Sequence, residues 1–154
     1  MNTTDAANLA RNLMNQHNLG HWVFEFDRAK RRAGCCKHSQ QTIALSEYYT
    51  KLNSEADILD TLKHEIAHAL VGFKQGHNHV WKAMCLKIGA KPERCYDSNV
   101  TMPKGRWTAT CNNCTKTFHK HRKPKHINGR YCIKCGPVKG SLQYSLTNQQ
   151  SLVK

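Results

Sequence analysis

His64-Glu65-Ile66-Ala67-His68 sets two imidazoles four residues apart, with a carboxylate beside the first. On an α-helix, at about 100° per residue, positions i and i+4 lie about 40° apart, so both rings can face one ion. Catalytic zinc takes three protein donors and keeps a fourth position for water. His77 is the best third donor, because Gly72 and Gly76 between it and His68 let the chain turn back. His79 is its rival. Zinc brings the pKa of its water toward about 7 and polarises a scissile carbonyl. Glu65 can then act as general base and later protonate the leaving amine. The chemistry implied is peptide-bond hydrolysis.

Cys111-Asn112-Asn113-Cys114 and Cys132-Ile133-Lys134-Cys135 are two C-x₂-C pairs with seventeen residues between them. Each pair makes a tight knuckle, and two knuckles complete a tetrahedral thiolate shell for zinc. A closed shell leaves no place for water, so this ion is structural. A segment of about forty residues with few large apolar groups can fold largely on metal-binding energy. His119 and His121 lie between the pairs, but four well-spaced thiolates make them superfluous as ligands. The expected complement is two Zn²⁺ per chain, one catalytic and one structural.

Charge points to a partner. The formal net charge is +14, which favours a polyanion, nucleic acid first. Residues 101–154 contain eleven Lys/Arg and no Asp or Glu, whereas residues 1–100 contain thirteen against ten acids. Between the knuckles run Lys116, Lys120, Arg122, Lys123, Lys125 and Arg130, with Phe118 and Tyr131 interleaved. Cations neutralise phosphates, and exposed rings stack on unpaired bases. The expected partners are a protein substrate and DNA, single-stranded or structured, with no base-specific readout. The bland alternative is a solvated surface with Phe118 and Tyr131 as the ribbon's own small core. Arg28, Lys30, Arg31, Arg32 and Lys37 form a second basic cluster, either solvated or extending a DNA path.

The elements that must position these groups follow from periodicity and caps. Residues 4–17 read as a helix capped by Thr4, with Leu9 and Leu13 at i and i+4. Trp22 to Asp27 reads as a strand, a basic connection runs from Arg28 to Lys37, and a second strand lies around Thr42–Ser46. Ser54 and Asp57 match a capping box. Ile58, Leu59, Leu62, Ile66, Ala69 and Leu70 then form one apolar stripe toward Gly72, with the two histidines outside it. A further helix is expected over 79–88, with Trp81, Met84, Cys85 and Ile88 on one face, ended by Gly89 and Pro92. Asp97 to Gly105 reads as a hinge.

Together these residues resemble the SprT-like (Spartan-related) zinc metallopeptidase family. That family shows H-E-x-x-H-A, then a third histidine followed four residues later by Trp or Phe. Here the run is His64-Glu65-Ile66-Ala67-His68-Ala69, then His77-Asn78-His79-Val80-Trp81, with Asn78 where the family often has Gly. The resemblance covers roughly residues 5–140. It implies His64, His68 and His77 as zinc ligands, Glu65 as the catalytic residue, a C-terminal zinc ribbon, and substrates crosslinked to or tightly bound on DNA. By analogy, the strands before the active helix would hold an extended substrate by β-augmentation.

The expected fold is α+β: a minimal zincin-like lobe, helices plus a small β-sheet, over residues 1–100. A Cys₄ zinc ribbon follows over 101–145, and a tail over 146–154. No stretch approaches the roughly 18 apolar residues of a membrane span, and the first residues lack the charged and apolar regions of a secretory signal. The eight cysteines are therefore read as thiols or ligands of a soluble monomer, cytoplasmic and nucleoid-associated or nuclear. Cys85 reads as core, Cys35, Cys36 and His38 as loop positions rather than another metal site, and Cys95 has no assigned role. Tyr96 is a weak oxyanion-donor candidate. The rival from another class is a non-catalytic DNA- or protein-binding module that keeps zinc for structure.

Overall fold

Asn2, not Thr4, caps the first helix, α1 (Thr3–Gln16): its side chain accepts the Asp5 N–H. Ala6, Ala10, Leu13 and Met14 recur on the buried face of α1, and Leu19 joins them after the helix ends. The chain then builds a three-stranded sheet. Its members are β1 (Val23–Asp27), β2 (Gly34–Lys37) and β3 (Thr42–Ser46), in the order β1-β3-β2. The β1–β3 pair is parallel and the β2–β3 pair antiparallel, with Gly34 opposite Leu45 and Lys37 opposite Thr42. All five residues of β3 are buried, as befits a central strand.

The expected basic connection from Arg28 to Lys37 is corrected by the structure, because its last four residues form β2. Gly-Cys-Cys-Lys carries no alternation and no β-branched residue. Its strand state comes from pairing with β3, which overrides weak local propensity. A short helix, α2 (Glu47–Leu52), also lies where no element was expected, capped by Ser46 through the Tyr49 N–H.

The central helix α3 (Glu55–Val71) starts at the capping box as read: the Ser54 hydroxyl accepts the Asp57 N–H, and the Asp57 carboxylate accepts the Ser54 N–H. Its buried face is broader than the apolar stripe, taking in Thr61 and Glu65 with Ile58, Leu62 and Ile66. α4 (His79–Ile88) follows a 3₁₀ turn over Phe73–Gln75 and ends at Gly89 in the left-handed conformation. Trp81, Cys85 and Ala67 are buried together where α4 meets α3.

The second unit is a small antiparallel sheet. β4 (Trp107–Cys111) lies between β5 (Thr117–Lys120) and β6 (Leu142–Leu146), with a short helix α5 (Gly136–Lys139) after the second cysteine pair. The computed structural model describes residues 1–94 and 100–147. The chain divides into Met1–Pro103 and Lys104–Lys154. Cys95, Tyr96, the first residues of the expected hinge and the tail from residue 148 lie outside the described residues. Helices and two small sheets make the fold α+β, with a four-cysteine cluster compatible with a zinc ribbon at its C-terminal end. No described helix is long and apolar enough to cross a membrane.

Within the first unit, Asn53 holds Thr101. Its amide donates to the Tyr49 and Thr101 carbonyls at 2.8 Å each, and its Oδ1 accepts the Thr101 N–H at 2.7 Å. Asn53 is buried, so losing these bonds leaves backbone groups without partners. Asn53→Ala should lower stability by about 2 kcal/mol, seen as a lower urea midpoint at unchanged slope.

Candidate metal centre

α3 carries His64 and His68 one turn apart. Gly72 (φ 86°) and Gly76 (φ 51°) then bend the chain on either side of the 3₁₀ turn, in a region that favours glycine. That bend delivers His77. The Nε2 atoms of His64 and His77 lie 3.2 Å apart, as do those of His68 and His77. Asn78 fixes the next helix by accepting the Val80 and Trp81 N–H groups. It thereby supplies an N-cap at the place where the family often has Gly.

Three ring nitrogens at this spacing fit a metal ion. Nitrogens about 2.0–2.1 Å from a tetrahedral zinc stand about 3.3 Å from one another. Burial, with His77 nearby, pushes His64 down to about 4. Burial and then the His64 and His77 rings do the same to His68, also to about 4. Near neutral pH these imidazoles are uncharged, the form that binds metal. Among the described residues, no fourth His, Cys, Asp or Glu joins the three. His79 is exposed and outside the group. The structure thus brings His77, the preferred third donor, together with His64 and His68, and leaves its rival His79 apart.

Trp81 underlies the whole group. Its ring stacks on His68 at 5.1 Å and meets His64 at 4.7 Å and His77 at 4.6 Å, nearly edge-on. The residue is fully buried, and its Nε1 is among the described side-chain atoms that have no hydrogen-bond partner. The sequence placed Trp81 on an apolar helix face and as a spacing marker. Its role as the floor of the site was missed, although the i, i+4 relation to His77 put both on one side of the chain.

Glu65 is only 5% exposed. Burial pushes its carboxyl up to about 7, against the lowering effects of the Cys36 N–H that it accepts and of Arg32. Cys36 and His38 approach the same region, with Sγ and Nε2 3.5 Å apart. His38 packs edge-on against Trp22 and Phe73. Burial pushes the Cys36 thiol up to about 12, so it is no thiolate at neutral pH. Neither residue belongs to a described metal-ligating group. Cys85 is fully buried, as expected of a core residue.

The second centre gathers Cys111, Cys114, Cys132 and Cys135. Cys114 Sγ and Cys132 Sγ are 3.8 Å apart, matching the separation of about 3.8 Å that sulfurs about 2.3 Å from a tetrahedral zinc would have. The N–H of Cys114, helped by that of Asn113, pulls the Cys111 thiol down to about 7. Neither His119 nor His121 belongs to this group, and His119 instead contacts the Thr108 hydroxyl.

Lys116, Lys120, Arg122, Lys123, Lys125 and Arg130 are all exposed. Lys116, Lys120 and Arg130 line one groove of about 530 Å³, together with Lys134, Phe118, Tyr131 and Tyr144. Arg122, Lys123 and Lys125 are not among its lining. Phe118 and Tyr144 both face Ala109 of β4 in the strand register, so they share a face of the sheet. Tyr144 and Lys134 escaped the sequence reading because they lie outside the stretch between the knuckles.

If Trp81 is the floor of the three-histidine site, its loss should loosen metal without touching a ligand. Trp81→Ala should weaken binding there by about tenfold or more in a chelator competition, the four-cysteine site serving as reference, while Trp81→Phe stays close to wild type.

Comparison with curated proteins gives no match. The model of the SprT-like family matches residues 4–103, an extent that includes both histidine-bearing elements and stops short of the cysteine cluster. Residues 4–103 thus make up a metallopeptidase-like domain, and the chain belongs to the SprT-like family.

Proposed function

We propose that this chain is a zinc-dependent peptidase acting on proteins on or near DNA, crosslinked ones included, with its ribbon binding the nucleic acid. The observation that carries the reading is the meeting of three imidazole nitrogens, two of them from a helix that also carries a buried glutamate. Three protein donors characterise catalytic zinc, and four thiolates a structural one. His64, His68 and His77 would hold the first ion, and Cys111, Cys114, Cys132 and Cys135 the second. When bound at the first site, zinc supplies a Lewis acid and an acidified water.

The rest falls to the chain's own residues. Glu65 takes the proton from the attacking water and delivers it to the departing amine. A structural metal site has no use for such a group. Among the described residues, β2 is paired on one side only, by β3, in the order β1-β3-β2. Its other edge can accept an extended substrate segment through main-chain hydrogen bonds, next to the strand against which Glu65 is held.

On the ribbon, Lys116, Lys120, Arg130 and Lys134 have no carboxylate side chain within residues 101–154 to neutralise them. Phosphates can take that place, while Phe118, Tyr131 and Tyr144 offer faces for unpaired bases. A peptidase concentrated on DNA needs little side-chain specificity, because tethering raises the effective concentration of nearby proteins.

The protein should contain two zinc atoms per chain by mass spectrometry, falling to one in a His64→Ala/His68→Ala variant. Wild type should cleave a denatured or DNA-bound protein, more so with single-stranded DNA. Glu65→Gln should keep both metals and lose at least about a hundredfold in rate, as expected when a general base is removed. If wild type and Glu65→Gln both hold two zinc ions and neither cuts, the chain is a binding module and the peptidase reading fails. Affinity for single-stranded DNA should fall with salt on a log–log plot, and a flat slope would remove the phosphate contacts.

A further inference from the structure

Glu65 reaches its position by lying in a space that a glycine leaves. A Cβ placed on Gly34 would stand 2.8 Å from Glu65 Cγ, 2.9 Å from Glu65 Oε1 and 3.0 Å from Thr61 Cγ2. Such approaches are far inside ordinary van der Waals contact, so a side chain there forces something to move. Gly34 is buried, and its φ lies outside the left-handed region. Space, not backbone conformation, is therefore what the glycine provides.

The surroundings leave Glu65 as the part that yields. β2 is held by its ladder with β3 and, one residue earlier, by the Ser46 N–H donating to the Ala33 carbonyl at 2.7 Å. Thr61 is fixed by its hydroxyl, which donates to the Asp57 carbonyl at 2.8 Å. The Glu65 side chain has rotatable bonds and one backbone donor from β2, the Cys36 N–H. A methyl at position 34 would push the carboxylate off that donor.

We infer that Gly34 is a positioning residue for Glu65: the bare backbone of β2 at Gly34 and the N–H of Cys36 together form the slot that fixes the carboxylate. Its catalytic consequence rests on the peptidase reading, but the slot itself does not. The same device makes position 34 intolerant of any side chain, although the strand register alone would accept one.

Two measurements on the full chain test this. In a double-mutant cycle, Gly34→Ala should lower Tm by about 4 °C or more in the wild-type background. In a Glu65→Ala background it should cost clearly less, because the two closest contacts are gone and only that with Thr61 remains. In hydrolysis assays Gly34→Ala should lower kcat at least tenfold, with KM within about twofold and zinc content unchanged. Equal Tm losses in both backgrounds would overturn the proposal, as would unchanged kcat in an active wild type. If wild type cuts nothing yet the Tm coupling appears, the peptidase reading falls and the slot stands.

Discussion

His77 Nε2 stands 3.2 Å from the Nε2 atoms of both His64 and His68, and its single lone pair or single N–H cannot bond well to both rings at once. A cation at their centre removes the conflict. Much of the first unit follows from holding that arrangement. α3 supplies two rings at helical spacing, the glycine-flanked turn returns the third, and Asn78 starts α4 at once so that Trp81 can close the floor. Burial lowers the pKa of His64 and His68, so these rings stay uncharged and able to bind metal at a pH where exposed histidines would be protonated.

The two groups that could hold a metal sit in different surroundings. Within the described part of Lys104–Lys154, the buried apolar side chains are Ala109, Cys111 and Cys132. So small a core offsets little chain entropy by burial, and a metal held by the four thiolates would supply part of the difference. The first unit has its own core on α1, β3, α2 and α3, led by Ile43, Leu45, Tyr49, Ile58, Leu62 and Ile66. It can therefore hold its histidines without depending on them for folding.

Legibility in the sequence tracked the range of the interactions involved. The capping box at Ser54, the helical spacing of His64 and His68, the glycine-assisted turn and the cysteine knuckles are local patterns, and each was visible in a few consecutive residues. β2 was not visible, because Gly34 to Lys37 become a strand only through β3, which itself follows in sequence. The burial of Glu65 was hidden for the same reason: it depends on β2 lying across α3. Thr61, polar yet buried, likewise broadens a stripe that apolar periodicity drew too narrowly. In the ribbon, the grouping of Lys134 and Tyr144 with Lys116 and Phe118 required the three-stranded register, which spacing between cysteines does not contain.

A carboxyl buried on the core-facing side of a helix needs a reason. Stability alone would favour an apolar residue at position 65, since removing a carboxylate from water is unfavourable and Arg32, the cation nearest in influence, already pairs with Asp27. Glycine at 34 is equally poor for a strand, lacking a side chain to pack and losing more entropy on folding. Either choice alone is a local flaw. Together they are complementary, the missing side chain of one accommodating the excess of the other beside a metal-ligating helix. Rules of propensity and burial broken in this paired way mark a place where the chain gives up stability to hold a buried carboxyl still.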